Sequence, residues 1–222
     1  MIAIAIDGPS AAGKSTVAKG VAKKLGFTYI DTGAMYRSVT LFALKKGVDC
    51  QNDEEVNKLL KDITIELKPD NKVFLNGEDV TKEIRQTPVV LNVSYIAANK
   101  TVRLHLVELQ RQMAKKDSVV MDGRDIGTYV LKDAQVKIFQ VASVKTRAER
   151  RYLENKQKGI ECTLEEIQKD LERRDYIDSH RSFAPLCKAE DAIEVDTSEM
   201  TIEESINAML KIIEEKVGPL YE

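Results

Sequence analysis

The chain has 222 residues, 43% of them hydrophobic, with 34 Lys and Arg against 36 Asp and Glu for a net charge of −2. That length and apolar share suffice for a packed core in one large domain or a domain with insertions, which excludes a disordered chain, and the charge balance excludes a globally basic nucleic-acid binder. Three dispersed cysteines (Cys50, Cys162, Cys187) exclude a disulfide framework, two histidines (His105, His180) exclude a His-rich metal site, and no run reaches the roughly 18 apolar residues of a membrane helix.

Ile2 to Ile6 form an apolar run bounded by Asp7-Gly8-Pro9, the composition of a buried strand, and Val17, Val21, Ala22 and Leu25 then recur at helical spacing until Gly26 stops the pattern. Phe27 to Ile30 predict a second strand, Ala34 to Lys46 a helix ended by Gly47, and Glu54 to Lys61 another short helix. This alternation predicts a parallel sheet covered by helices. Residues 63–80 interrupt it: ITIEL and KVFL have strand composition, KPDN separates them, and Asn76-Gly77 is a strong hairpin signal, so a small antiparallel insert is expected, packed on a neighbour or moving as a small lobe.

From Asn99 onward Val102, Leu106, Leu109 and Met113 mark one helix face, followed by the strand SVVM, the turn DGRDIG and the strand VKIFQVA at 136–142. Residues 143–181 are densely charged and helical, with Thr163 and Glu166 spaced as a capping box. AIEVD reads as a last strand, and Thr201 with Glu204 caps a helix carrying Ile202, Ile206, Met209, Ile213 and Val217 on one side. No repeat or low-complexity linker is present, and the thiols are expected to be free in a cytosolic protein.

Gly8, Pro9, Ser10, Ala11, Ala12, Gly13, Lys14 and Ser15 fit GxxxxGK(S/T), the phosphate-binding loop, in its required place between a strand and a helix, with Thr16 following. Backbone N–H groups of residues 10–15 can turn inward only where side chains do not obstruct, and the helix start adds its unpaired N–H groups and positive dipole end. Lys14 can bridge β- and γ-phosphate oxygens and the Ser15 hydroxyl can ligate Mg²⁺, so the loop is expected to hold the phosphates of ATP. A guanine-reading Asn-Lys-x-Asp is missing, since the relevant Asn-Lys continues as NKTV, which disfavours a GTPase.

DTGAMYR at 31–37 and MDGRDIG at 121–127 each follow a strand, so Arg37 and Arg124 are expected at the carboxyl edge of the sheet as a phosphate clamp, with Asp125 beside Arg124. TRAERRY supplies Arg147, Arg150 and Arg151, and ERRDYIDSHR supplies Arg173, Arg174, Asp175, Asp178 and Arg181. Beside a phosphate loop, such arginines on a flap neutralise transferring oxygens and exclude water. These residues alone leave open a kinase of another small acceptor, a nucleotide or a sugar acid, and a non-catalytic nucleotide-binding regulator.

The ordered set GPSAAGKST, DTGAMYR, GEDVTKEIR, MDGRDIGT and RDYIDSHR…APL resembles the bacterial cytidylate (CMP) kinases, nucleoside monophosphate kinases among the P-loop phosphotransferases, essentially end to end. The resemblance implies an α/β P-loop three-layer fold with a central parallel sheet, an enlarged acceptor-binding insert with a small antiparallel sheet, and a helical lid. It divides the chain into a core of 1–32, 99–142 and 182–222, an acceptor domain of 33–98 with its insert at 63–80, and a lid of 143–181. It implies transfer from ATP, with Mg²⁺, to CMP or dCMP by a cytoplasmic monomer that binds neither nucleic acid nor membrane. It implies Arg37 and Arg124 on the CMP phosphate, Ser94, Arg103 and Asp125 around the cytosine, and Arg174 and Asp178 at the ribose. It also places Arg181 near base and phosphate, makes Arg147, Arg150 and Arg151 lid arginines, and puts Thr32 where relatives often carry Ser. For the adenine it suggests the loop around Asp196 to Ser198.

Overall fold

In the computed structural model, which describes residues 1–220, the apolar run after Met1 becomes strand β1 (Ala3–Asp7), buried from Ile4 to Asp7. Helix α1 (Lys14–Leu25) follows, stopped by Gly26 in the left-handed conformation, and leads to β2 (Thr28–Asp31). Later in the chain come β6 (Val119–Gly123), β7 (Val136–Val141) and β8 (Ile193–Asp196), which complete a five-stranded sheet in the order β2, β6, β1, β7, β8. β1 pairs in parallel with β6 and β7, and β8 adds to β7 in parallel. The chain therefore winds outward to one side of β1 and returns to the other, the arrangement that opens a crevice at the carboxyl ends of the central strands.

Two compact units result: Met1–Tyr29 with the residues from Asp117 onward, and Ile30–Lys116. In the first, Ile4, Ile6, Val120, Val136, Ile138 and Val195 of the sheet pack with Val17 and Val21 of α1 and with Met209 and Ile213 of the last helix, Ile202–Val217. Gly20 lets these two helices approach, since a Cβ there would lie 2.2 Å from Ile206 Cδ1. The last helix has its capping box, Thr201 with Glu204, but Ile202 is exposed and takes no part in the buried stripe. Residues 143–181 form two helices, α6 (Val144–Gln157) and α7 (Leu164–His180), joined through Ala148, Ile167 and Leu171, with Ala11 of the phosphate loop packed on the same cluster.

The second unit holds α2 (Thr32–Lys45), α3 (Asp53–Leu59), α4 (Thr87–Ala98) and α5 (Lys100–Ala114). It also holds the antiparallel sheet of β3 (Ile65–Leu67), β4 (Val73–Leu75) and β5 (Glu78–Asp79). Asn76 and Gly77, with φ of 51° and 85°, make the expected tight turn between β4 and β5. Ile65, Val73 and Leu75 join the core of Val39, Val56, Ile84, Val93 and Ile96, so the insert is anchored within this unit. Val102 and Leu106 are buried in that same core, which carries the unit to Lys116 and takes in α5, where the family resemblance had implied that residues 99–142 belong to the core domain.

Helix α4 has no counterpart in the sequence reading. Its segment TPVVLNVSYIAA is apolar on several sides and rich in β-branched residues, so no amphipathic stripe marks it, and Gln86 at its start makes no side-chain cap bond. Tertiary burial of Val89, Val93, Ile96 and Ala97 stabilises it instead. Among the described residues no helix is long and apolar enough to cross a membrane. Cys50, Cys162 and Cys187 are free thiols.

Candidate active site

The loop between β1 and α1 is shaped by what its carbonyls touch. Pro9 O accepts from Lys14 Nζ at 2.6 Å, Ser10 O from Arg147 Nη1 at 3.0 Å, and Ala12 O from Gln140 Nε2 at 2.6 Å. With those oxygens engaged by side-chain donors, the N–H edge of the loop is left to line the cradle. Gly8 is required because a Cβ there would meet Gln140 O at 2.0 Å, and Gly13, at φ 86°, turns the chain into α1. No side chain caps α1 and no acidic residue lies in its first turn, so the helix start, with Lys14, Ser15 and the exposed Thr16, remains open to an anion.

Lys14 is buried, and burial followed by the charge of Arg124 lowers its pKa to about 7. Burial likewise raises the Asp7 carboxyl to about 7, although the Gly127 and Ile126 N–H groups pull it the other way. A polyanion in the cradle would restore Lys14 to a firm cation, since a nearby opposite charge favours the protonated form.

Ser15 Oγ donates to Asp122 Oδ2 at 3.0 Å, and the other carboxylate oxygen accepts from Tyr29 OH at 2.6 Å. Magnesium in nucleotide sites takes one or two protein oxygens and completes its shell with phosphates and water, and the Ser15–Asp122 pair at the head of α1 supplies such a hard-oxygen set. Asp122 was missed in the sequence reading, because only the pairing of β6 with β1 brings it to Ser15.

At the end of β6, Arg124 Nε donates to Asp178 Oδ2 of α7 at 2.9 Å. Arg181 stands 3.9 Å from both Asp125 and Asp178. Burial opposes ionisation of Asp178, but Arg124, then Arg181 and Arg174, outweigh it and hold its carboxyl below the usual range. Arg174 is buried with no hydrogen-bond partner at Nε, and burial together with Arg124 brings its pKa down to about 10. A buried guanidinium N–H left unmatched beside other cations is costly unless an anion completes it.

Residues expected in the lid are tied down. Arg147, 3% exposed, donates to Ala142 O and Ser10 O and pairs with Asp175 at 2.7 Å, linking the phosphate loop to both α6 and α7. Arg150 Nη2 donates to Thr197 O at 2.6 Å and reaches Ser198 O and Met200 O, bracing the loop after β8. Gln140 joins that loop to the phosphate loop through Thr197 Oγ1 at 3.3 Å. Arg151 pairs with Glu154 on the surface, and its charge is felt by Arg174.

The remaining expected residues lie in the second unit. Asp31 caps α2 by accepting from Ala34 N at 2.8 Å and accepts from Arg37 Nη2 at 3.2 Å, while Arg37 Nε is buried without a partner. Thr32 is buried in the first turn of α2. Arg103 is buried on α5, donating to Ala97 O at 3.0 Å with its guanidinium 5.1 Å from the Tyr36 ring centre. Ser94 is buried on α4.

A phosphate loop at the central strand, a hard-oxygen pair and an arginine cluster beside it together define a P-loop phosphotransferase. Solved structures agree on the fold: a gluconokinase from Sinorhizobium meliloti 1021 matches with a TM-score of 0.50 at 13% identity, over 97% of this chain and 93% of that one. A shikimate kinase from Bacteroides thetaiotaomicron also matches at 0.50 with 12% identity, over 96% and 98%. The family model for cytidylate kinase matches residues 4–215, and the chain belongs to that family. It is similar to the cytidylate kinase of Ligilactobacillus salivarius, 53% identical over 216 residues and 96% of each chain. The cytidylate kinase of Anoxybacillus flavithermus is 52% identical over 219 residues and 97% of each.

Proposed function

We propose that this protein transfers the γ-phosphoryl group of ATP to CMP or dCMP, giving ADP and CDP or dCDP, as a monomer of the cytoplasm serving pyrimidine nucleotide metabolism without nucleic acid or membrane. The observation that carries the reading is the cation set of buried Lys14, Arg174 and Arg181 with half-buried Arg124 in the unit that holds the phosphate loop. Burial and then Arg124 lower the pKa values of Lys14 and Arg174, and Arg174 Nε makes no hydrogen bond; phosphates would relieve both conditions.

A phosphate oxygen of CMP attacks the γ-phosphorus as the bond to the ADP oxygen breaks, and charge spreads over the three transferred oxygens. The loop N–H groups and Lys14 stabilise that charge on the donor side. Ser15 and Asp122 would hold the Mg²⁺, which when bound supplies positive charge to the β- and γ-oxygens. Arg37 and Arg124 take the acceptor phosphate, Arg174 and Asp178 the ribose, and Arg181 the side between base and phosphate. Ser94, Arg103 and Asp125 read the cytosine edge, whose amine needs an acceptor, and Thr32 contributes a hydroxyl. Arg147 and Arg151 support the transfer from the lid, and Arg150 holds the loop from Asp196 to Ser198 for the adenine.

An ADP-release assay with MgATP and CMP, dCMP, UMP, AMP, GMP, shikimate and gluconate tests the reading. Turnover concentrated on CMP and dCMP supports it. A preference for a sugar acid, or ATP binding with no turnover on any acceptor, refutes it.

A further inference from the structure

Asp125 stands at the head of a wide turn, Ile126–Val130, closed by Val130 N to Asp125 O at 3.0 Å and Leu131 N to Ile126 O at 2.7 Å. An aspartate in that position ordinarily caps its own turn by accepting from the backbone N–H groups just ahead. Asp125 makes no such cap bond. The two leading N–H groups donate to another carboxylate: Ile126 N to Asp7 Oδ1 at 2.8 Å, and Gly127 N to Asp7 Oδ2 at 2.7 Å.

Asp7 reaches them because β1 and β6 end side by side, with Asp7 in register with Gly123. Gly127 admits the contact, since a Cβ there would press on the Lys137 stem at 3.1 Å and touch Asp7 Oδ2 at 3.4 Å. Both carboxylate oxygens are thus committed to the turn in a buried setting, where losing either bond leaves an N–H unsatisfied. The Asp125 carboxylate is directed toward Arg181, 3.9 Å away.

We propose that Asp7 is a positioning residue for acceptor-base selection: by capping the Ile126–Val130 turn from the root of the phosphate loop, it keeps the Asp125 carboxylate off its own turn and facing Arg181, the orientation in which it would read the base. Asp7 immediately precedes Gly8, so the donor cradle and the base-reading carboxylate share one anchor. Without it, the bare N–H groups would draw Asp125 back into the local cap.

Two measurements test this, the second resting on the acceptor reading above and the first independent of it. The first is amide hydrogen exchange at Ile126 and Gly127, followed by NMR on the whole protein. Asp7→Asn, which keeps the shape but turns an N–H₂ toward one donor, should speed exchange about ten- to a hundredfold. Asp125→Ala should leave both amides protected. If Asp125→Ala releases them, Asp125 is the cap and the proposal fails, a result obtainable even where Asp7→Asn does not fold.

The second is the ratio of kcat/KM for CMP to that for UMP. It should fall about tenfold in Asp7→Asn while the KM for ATP changes less than about twofold, and the double variant with Asp125→Ala should discriminate no worse than Asp125→Ala alone. An unchanged ratio, or CMP and ATP affinities lost together, reduces Asp7 to a structural role. Wild-type enzyme that does not prefer CMP overturns the acceptor reading, and the exchange comparison still decides the capping.

Discussion

Replacing Lys14 with Met should stabilise the protein in the absence of nucleotide while abolishing turnover. The Lys14 side chain is only 5% exposed, and burial and then Arg124 lower its pKa from 10.5 to about 7. Holding it charged against that displacement costs the fold on the order of 5 kcal/mol below pH 7. The bond from Nζ to Pro9 O, at 2.6 Å, returns about 1.5–3 kcal/mol. Met fills a similar volume, which leaves it a net advantage of roughly 2–3 kcal/mol.

The sign follows from proton counts. Between pH 7 and 10.5 the unfolded chain holds the Lys14 proton and the folded chain releases it, so wild-type stability rises with pH through that window and the advantage of Met fades. Thermal unfolding without nucleotide should put Lys14→Met about 4–10 °C above wild type near about pH 6.5, with the order closing or reversing near about pH 9.5. Turnover should fall at least about a hundredfold at both. Equal destabilisation at the two pH values, or retention of most of the rate, refutes the picture of a buried, strained cation that a phosphate relieves.

Asp122→Asn should raise the Mg²⁺ concentration for half-maximal rate about tenfold or more with the fold intact, since Tyr29 OH can still donate to the remaining carbonyl oxygen. An unchanged Mg²⁺ titration places the metal elsewhere. Arg150→Ala releases the carbonyls of Thr197, Ser198 and Met200, so the KM for ATP should rise several-fold, about 3–10, with that for CMP nearly constant. A drop in kcat alone would instead move Arg150 to the transferring phosphate. Combined Ser94→Ala and Asp125→Ala should lose far more kcat/KM for CMP than for UMP, because UMP presents a carbonyl where CMP presents an amine; equal losses would assign both residues to the phosphate or the fold.

Local features were legible in the sequence. The phosphate loop is eight consecutive residues between a strand and a helix, the boxes Thr163–Glu166 and Thr201–Glu204 span three residues each, and Asn76-Gly77 sets its own turn, so neighbouring side chains and backbone geometry suffice to specify them. Arg37, Arg124, Arg174, Asp178 and Arg181 were likewise marked in advance, by their place after a strand or in the charged segment and by the family resemblance, and the structure brings Arg124, Arg174, Asp178 and Arg181 together. Only the tertiary structure decided which side chains brace the phosphate loop and the turns beside it. Asp7 caps a turn 119 residues away, Asp122 meets Ser15 across 107, and Arg150 spends its guanidinium on carbonyls 47 to 50 residues on. These pairings depend on which strands adjoin in the sheet and which helix packs over it, and no local spacing encodes that adjacency. Helix α4 shows the same limit, since apolar residues outside its buried face, such as the exposed Leu91, blur the periodicity that would have announced it.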